Sequence, residues 1–452
     1  MPSQFDVAII GAGPAGITAA RDLAASGHSV ILLEARDRIG GRTYVGNAFG
    51  GTLELGGAFV HWTQPHVWRE LHRHGMTSLQ PPLPSETTFW LADGVVHSGS
   101  EEDWAIATQT GLTKLFGDAR ARFPMPFEPN AVDNSDIESQ TLKQAIDGLG
   151  LSSYERDALE GALGSMIHSC DKHGVAQLMY GSAVNFGSYL GLLETAGTWH
   201  IQGKGTRGLF EAMLDEFPSI NISLSTAVES ITRKGTQLQI TARDGQQIHA
   251  RSAIVAVPIN TIRDITFTPP LPQVIRTMLD KDDGKPNSIM ACKVWVRVRG
   301  EIAPFTAVAP AGKHPFAAAR VEKRWEGGDT VIMCMCADAA LIPADEVQRR
   351  KVMEAALRLF VPGIEVVDTV AHDWVGDEFS KGGWMMHRPG GFTGQGTVEL
   401  RKSHFDGRLC FAGSDIATID VGAINGAMGS GALAARDVGV MLAKDKGIGM
   451  RL

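Results

Sequence analysis

Apolar and polar positions along the chain fall into patterns that predict specific elements. Residues 6–10 form a short, β-branched apolar run, and 30–33 form another. Between them small apolar residues recur from Pro14 to Leu23, until Gly27 breaks the pattern. Such runs read as strand, helix, strand. Further on, 87–91 and 95–97 read as a hairpin closed by Asp93-Gly94. Helical periodicity then covers 104–123, 141–149 and 153–169, the last with a start signal at Ser153, Glu155 and Arg156. A meander follows over 222–224, 227–233, 237–242 and 248–257, with a turn at Asp244-Gly245. The segment 288–298 alternates: Met290, Cys292, Val294, Val296 and Val298 share one face, and Ile289, Ala291, Lys293, Trp295 and Arg297 the other. One face is expected to be core, while the lysine beside a tryptophan can floor a cavity. Residues 408–415 read as a strand entering a turn, and 422–435 as a helix rich in Gly, Ala and Ser.

The first joint carries chemistry. It reads Gly11-Ala12-Gly13-Pro14-Ala15-Gly16. Gly11 permits the tight turn, Gly13 lets backbone approach a pyrophosphate, and Gly16 lets helix and strand pack closely. Pro14 suits the first helical turn, where its missing N–H is not needed. The helix N-terminus offers free N–H groups and positive polarity to a diphosphate. Glu34, ending the second strand, is placed to accept hydrogen bonds from a ribose 2′-OH, and an acid there argues against a 2′-phosphate. Strand, turn, helix, strand and terminal acid together predict a dinucleotide site.

Composition narrows the partners. The chain has 452 residues, 44% hydrophobic and 20% charged, enough for two or three domain-sized units with a large core. A net charge of -8 and no basic run argue against nucleic acid or an anionic membrane as partner. Five scattered cysteines (Cys170, Cys292, Cys334, Cys336, Cys410) lack metal-ligand spacing, so no metal is expected, and reduced thiols suit a cytoplasmic protein. No signal peptide or membrane span is seen, and the tail 444–452 is short and polar.

Three stretches, Gly11-Ala12-Gly13, Glu34-Ala35-Arg36-Asp37-Arg38-Ile39-Gly40-Gly41-Arg42 and Glu54-Leu55-Gly56-Gly57-Ala58-Phe59, resemble a flavin-dependent amine oxidase of the monoamine oxidase type. In pattern they are close to bacterial 6-hydroxynicotine and nicotine-type amine oxidases. Independently of that likeness, arginine beside bare glycine backbone is what a diphosphate needs. The resemblance implies an α/β fold: a Rossmann-like FAD-binding domain with an inserted α+β substrate-binding domain, as in glutathione reductase-like two-domain proteins. It divides the chain into FAD-binding parts at 1–78, 200–265 and 399–443, substrate-binding parts at 79–199 (mostly helical) and 266–398 (sheet), and a tail at 444–452.

By the same resemblance, Gly41 and Arg42 contact the FAD pyrophosphate, and Ala35 and Arg36 lie at the adenosine end. Gly56, Gly57, Ala58 and Phe59 lie against the isoalloxazine ring. Val228 gives a backbone contact to adenine, and Ala256 and Pro258 border the cofactor. Gly413, Ser414 and Asp415 belong to the closing flavin motif, and Gly422, Ala423 and Ile424 open the helix aimed at the pyrimidine end. Lys293 matches the strand lysine that holds water against flavin N5, with Lys285 a weaker candidate; Trp384 matches one of two aromatic residues that frame the amine. The second aromatic position is Ala423, which leaves open space, with Asp420 and Asn425 adding polarity. No cysteine lies near Gly390-Gly391-Phe392, so FAD is expected to be noncovalent. His61 reads equally as a substrate contact or as a histidine satisfied inside its loop. Tyr180, Phe186 and Tyr189 can line a pocket, but core packing is the preferred reading.

The implied activity is oxidation of a small-molecule amine to an imine by hydride transfer to flavin N5. The imine then hydrolyses, and oxygen or another acceptor reoxidises the flavin, oxygen giving hydrogen peroxide. The alternative on the same fold is a carbon–carbon dehydrogenase or desaturase; a binder without catalysis conflicts with the intact cofactor motifs. A homodimer is compatible with all of these readings.

Overall fold

Strand Gln4–Ile10 is buried from Val7 onward and pairs in parallel on both sides, with Val30–Leu33 and with Gln247–Val255. Strands covered on both faces are apolar throughout, which is why these runs lack alternation. In the computed structural model, residues 4–445 are described, apart from 126, 165, 167–169, 197–198, 281–289 and 326. Lys285 and residues 446–452 lie outside the described residues.

The first sheet has eight strands. In order they are Asn221–Ser223, Val30–Leu33, Gln4–Ile10, Gln247–Val255, Gln237–Ala242, Val228–Lys234 and Thr266–Thr268, with Leu409–Phe411 also on Gln247–Val255. That long strand forks: its start is antiparallel to Gln237–Ala242, and Ala253, Ile254 and Val255 pair in parallel with Leu409, Cys410 and Phe411. The long strand thus lies between the first strand of the chain and the last. Helix Ile424–Asp445 then packs along helix Pro14–Ala25, so closely that a Cβ on Gly431 would lie 2.1 Å from the Ala15 carbonyl oxygen.

The second sheet has seven strands, ordered Val366–Ala371, Cys292–Val298, Thr330–Cys336, Ala318–Arg324, Phe305–Val308, Thr87–Ala92 and Val95–Gly99. Its alternation follows the sequence pattern. Cys292, Val294, Val296 and Val298 join Cys334, Cys336 and Met353 in one core, while Trp295 and Met333 pack against Leu53 and Leu55 on the opposite face. The molecule is thus an α/β protein built on two large sheets, with smaller sheets of two strands (Val45–Ala48 and Gly51–Glu54) and three strands (Phe59–Val60, Trp199–Ile201 and Leu79–Gln80), and a mostly helical segment between residues 101 and 195 laid against the second large sheet.

Local details differ from the sequence reading. Residues 104–123 form two helices, Glu101–Phe116 and Ala119–Arg122, because Ser100 and Asp103 make a capping box three residues upstream and the first helix ends at Gly117. Ser152, not Ser153, caps helix Ser153–Leu163, with Glu155 closing the box. The terminal helix starts at Ile424, since Asp420 and Gly422 take positive φ values of 49° and 82°, and it continues to Asp445. The first sheet also runs past residue 265: Thr266–Thr268 pairs with Val228–Lys234, and Ile275, Met278 and Leu279 share its core. Among the described residues, no helix is long and apolar enough to cross a membrane, and no group of His, Cys, Asp or Glu could hold a metal.

Candidate active site

The two glycine turns meet. A Cβ on Gly16 would lie 1.9 Å from the Gly11 carbonyl oxygen, so only glycine lets the helix start this close to the strand. A Cβ on Gly41 would lie 3.2 Å from Gly13 Cα: the basic turn sits directly on the phosphate-type loop. Glu34 is 3% exposed; its Oε2 accepts from Ala12 N at 2.8 Å and its Oε1 from Arg36 N at 2.9 Å. Those bonds hold the carboxylate at the strand end and leave lone pairs for a sugar hydroxyl. Arg36 is anchored by Asp377 (2.5 Å) and Ser380 (2.8 Å).

Distant segments close the far side. Arg42 Nη2 pairs with Asp415 Oδ1 at 2.6 Å and donates to Ser414 Oγ at 3.2 Å, while Nη1 donates to Gly383 O at 2.9 Å. Asp415 Oδ2 in turn accepts from Ile259 N at 2.9 Å. Helices Pro14–Ala25 and Ile424–Asp445 both open at their N-termini onto one cavity of about 550 Å³. Every residue expected at the cofactor lines this cavity except Gly16, which packs behind it, and Asp415, which bonds to the lining residues Arg42 and Ser414. Trp384, Ala423 and Lys293 line it as well. His61 does not: it is 3% exposed, stacks on Trp62 at 3.9 Å, and its Nδ1 lies 2.6 Å from Thr63 Oγ1. Its Nε2 is buried without a hydrogen-bond partner among the described residues, 3.5 Å from Glu194 Oε1, so the loop satisfies one ring nitrogen and not the other. Tyr180 lines the cavity, whereas Tyr189 stacks on Phe116 in the core and Phe186 is exposed.

Lys293 is 6% exposed. Its Nζ donates to Gly56 O at 2.7 Å and Glu54 O at 3.3 Å, leaving a third N–H for the cavity, and it lies 4.9 Å from the Phe59 ring centroid. Burial pulls its pKa down to about 8, partly offset by Glu54 and Glu322. Trp384 is fixed by its Nε1–H donating to Met166 O at 2.9 Å. One feature escaped sequence reading: Arg320, also lining the cavity, is forked onto Glu322 (2.7 and 3.0 Å), which meets His200 Nε2 at 2.5 Å. Burial pushes the Glu322 carboxyl up, but His200 and Arg320 outweigh it and hold the pKa at about 2. The signal was the i, i+2 placing of Arg320 and Glu322 on one strand, beside an aromatic-histidine pair whose position sequence alone does not reveal.

The family model described as flavin containing amine oxidoreductase matches residues 14–439. The chain belongs to that family. Among curated relatives, pseudooxynicotine dehydrogenase of a Pseudomonas species is 31% identical, covering 97% of this chain and 86% of that protein. Nicotine dehydrogenase of Pseudomonas putida is 29% identical (97% and 89%), and (S)-6-hydroxynicotine oxidase of Paenarthrobacter nicotinovorans 28% (94% and 97%). A putrescine oxidase structure superposes with a TM-score of 0.82 at 21% identity, covering 96% of this chain and 99% of that one, a likeness of fold. The protein is therefore a flavin-dependent amine oxidoreductase, similar to nicotine-type enzymes, acting on a small-molecule amine.

The residues present fit FAD. A Cβ on Gly13 would meet nothing nearer than 3.9 Å, so its backbone is open to a diphosphate; two helix N-termini and Arg42 supply the matching positive polarity. A Cβ on Gly57 would likewise meet nothing nearer than 3.8 Å, leaving a bare surface for a flat ring.

Proposed function

We propose that the protein oxidises a bulky heteroaromatic amine of the nicotine type to an imine, using noncovalently held FAD and releasing hydrogen peroxide when oxygen is the acceptor. The observation that carries this reading is Lys293, buried on the sheet face with two N–H groups tied to the Glu54–Gly56 backbone and one left for the cavity that Trp384 also lines. FAD, when bound, supplies the redox chemistry by taking a hydride equivalent from the amine Cα.

The chain's own groups do the rest. Gly11, Gly13, Glu34, Gly41 and Arg42 hold the diphosphate and ribose, with Asp415 orienting Arg42. Lys293 holds a water on its remaining N–H. Trp384 gives the substrate one flat wall, and Ala423 leaves the facing side wide enough for a ring. The N-terminus of Ile424–Asp445 contributes a positive dipole end to the electron-rich site. None of the five cysteines, all buried, lines the cavity, which supports noncovalent FAD; their unpaired state suits the cytoplasm.

The test uses purified protein. Acid precipitation is expected to release FAD into the supernatant, and anaerobic mixing with heteroaromatic amines is expected to bleach the flavin bands, with peroxide formed in air. Bleaching by ketones or alkenes instead of amines would transfer the chain to the desaturases. Oxidised bands untouched by every amine in the panel would overturn the reading.

A further inference from the structure

Three acidic residues line the cavity: Glu34, Asp264 and Asp420. Glu34 is engaged by two backbone amides, and Asp264 is paired with Lys381 at 2.6 Å. Asp420 differs. Its Oδ2 accepts from Asn425 Nδ2 at 2.6 Å, and among the described residues no cation lies within ion-pair distance of it. It sits on a fixed strap: φ is 49°, Ala423 N donates to its carbonyl at 2.9 Å, and a Cβ on Gly426 would lie 2.3 Å from that oxygen. Asn425 is itself locked, its Oδ1 accepting from His66 N and Val67 N at 2.9 and 3.2 Å. Asp420 is thus a half-buried carboxylate held rigidly on the cavity wall, three residues before Ala423. Its neighbour Val421 packs with Trp384, Val184, Leu192 and Leu193 in one apolar cluster.

An amine reaching this cavity has a problem that the chain must solve. Alkylammonium groups ordinarily ionise like lysine, at about 10, so nearly all the amine arrives protonated. Without its lone pair the nitrogen cannot support loss of hydride from Cα. Five cations line the cavity; Arg36, Arg42, Arg243 and Arg320 are paired with Asp377, Asp415, Glu378 and Glu322, while Lys293 has no carboxylate in ion-pair contact among the described residues and repels an ammonium. We propose that Asp420 docks the substrate ammonium and takes its proton, so that the amine is oxidised uncharged. One proton passes from the ammonium nitrogen to a carboxylate oxygen, and no electrons change hands in this step. Burial raises the Asp420 pKa, which the Asn425 hydrogen bond and nearby His66 only partly offset, and a more basic carboxylate accepts the proton more readily. The bulk freed at Ala423 and the acid at Asp420 then act together, one making room for a ring and the other holding its amine.

This inference rests on the amine oxidase reading, and its test separates the two. The probe is 2-phenylpropan-2-amine, which has no α-hydrogen, against its neutral counterpart 2-phenylpropan-2-ol, each titrated calorimetrically into the flavin-loaded protein. The wild type is expected to prefer the amine. Asp420→Asn is expected to weaken amine binding at least about tenfold while alcohol binding stays unchanged. Equal losses for both probes, or no loss for either, overturn the proposal. Should the amide variant lose its flavin, Asp420→Ser repeats the measurement. Loss of flavin from both variants assigns Asp420 to holding Asn425 and also overturns it. Wild-type flavin that no amine bleaches overturns the parent reading. Amine bleaching with unchanged probe affinity in the variant overturns this one alone.

Discussion

Replacing Lys293 by methionine tests the buried cation directly. The lysine is 6% exposed, and its pKa falls from 10.5 to about 8 because burial disfavours the ammonium. The folded protein therefore binds fewer protons at this site than the unfolded chain wherever the pH lies between those two values. Stability of the wild type must rise with pH through that window, and the contribution vanishes below about 8. At about 1.36 kcal/mol per unit, the gain between about pH 7 and pH 9.5 comes to roughly 2 kcal/mol. Methionine removes the titration. It also strips a charged donor from Gly56 O and Glu54 O, but that loss only shifts the whole curve. The assay is urea unfolding of both proteins at several pH values, read as the difference between them. That difference is expected to move in favour of the wild type by roughly 2 kcal/mol across the window. A difference that stays flat would refute the buried ammonium, and with it the lysine's part in the site. In the same variant FAD should remain bound while its reduction or reoxidation slows.

Three further outcomes are expected. Gly16→Ala should yield protein without flavin absorbance, because its Cβ would lie 1.9 Å from a backbone oxygen that cannot move aside; a yellow, folded variant would contradict this. Glu34→Ala leaves Ala12 N and Arg36 N without their acceptor, and each such loss costs about 1–3 kcal/mol, so dialysis should strip FAD roughly tenfold or more faster than from the wild type. Trp384→Ala should raise the Michaelis constant for a ring-bearing amine by about tenfold with flavin content unchanged; an unaltered constant would remove the tryptophan from the substrate wall.

Local chemistry was legible along the chain because it depends on near neighbours. Strand 30–33 and the turn at Asp93-Gly94 fall where the pattern put them, and the two faces of the strand carrying Lys293 separate as alternation requires. The glycine turns were readable for the same reason: a positive φ or a close backbone approach restricts the residue type at that position alone. Family likeness extended this to the cavity lining, including Arg42 and Trp384. Contacts between remote segments were a different matter. Arg42 and Asp415 are 373 residues apart, and the fork in strand Gln247–Val255 is what unites the first and last strands of their sheet. His61 and the Arg320–Glu322–His200 group show the limit most clearly. Whether a polar side chain faces a cavity or a packed pocket depends on which elements pack above it: Arg320 and Glu322 are neighbours on one strand, but His200, 122 residues from Glu322, meets it only when the sheets close.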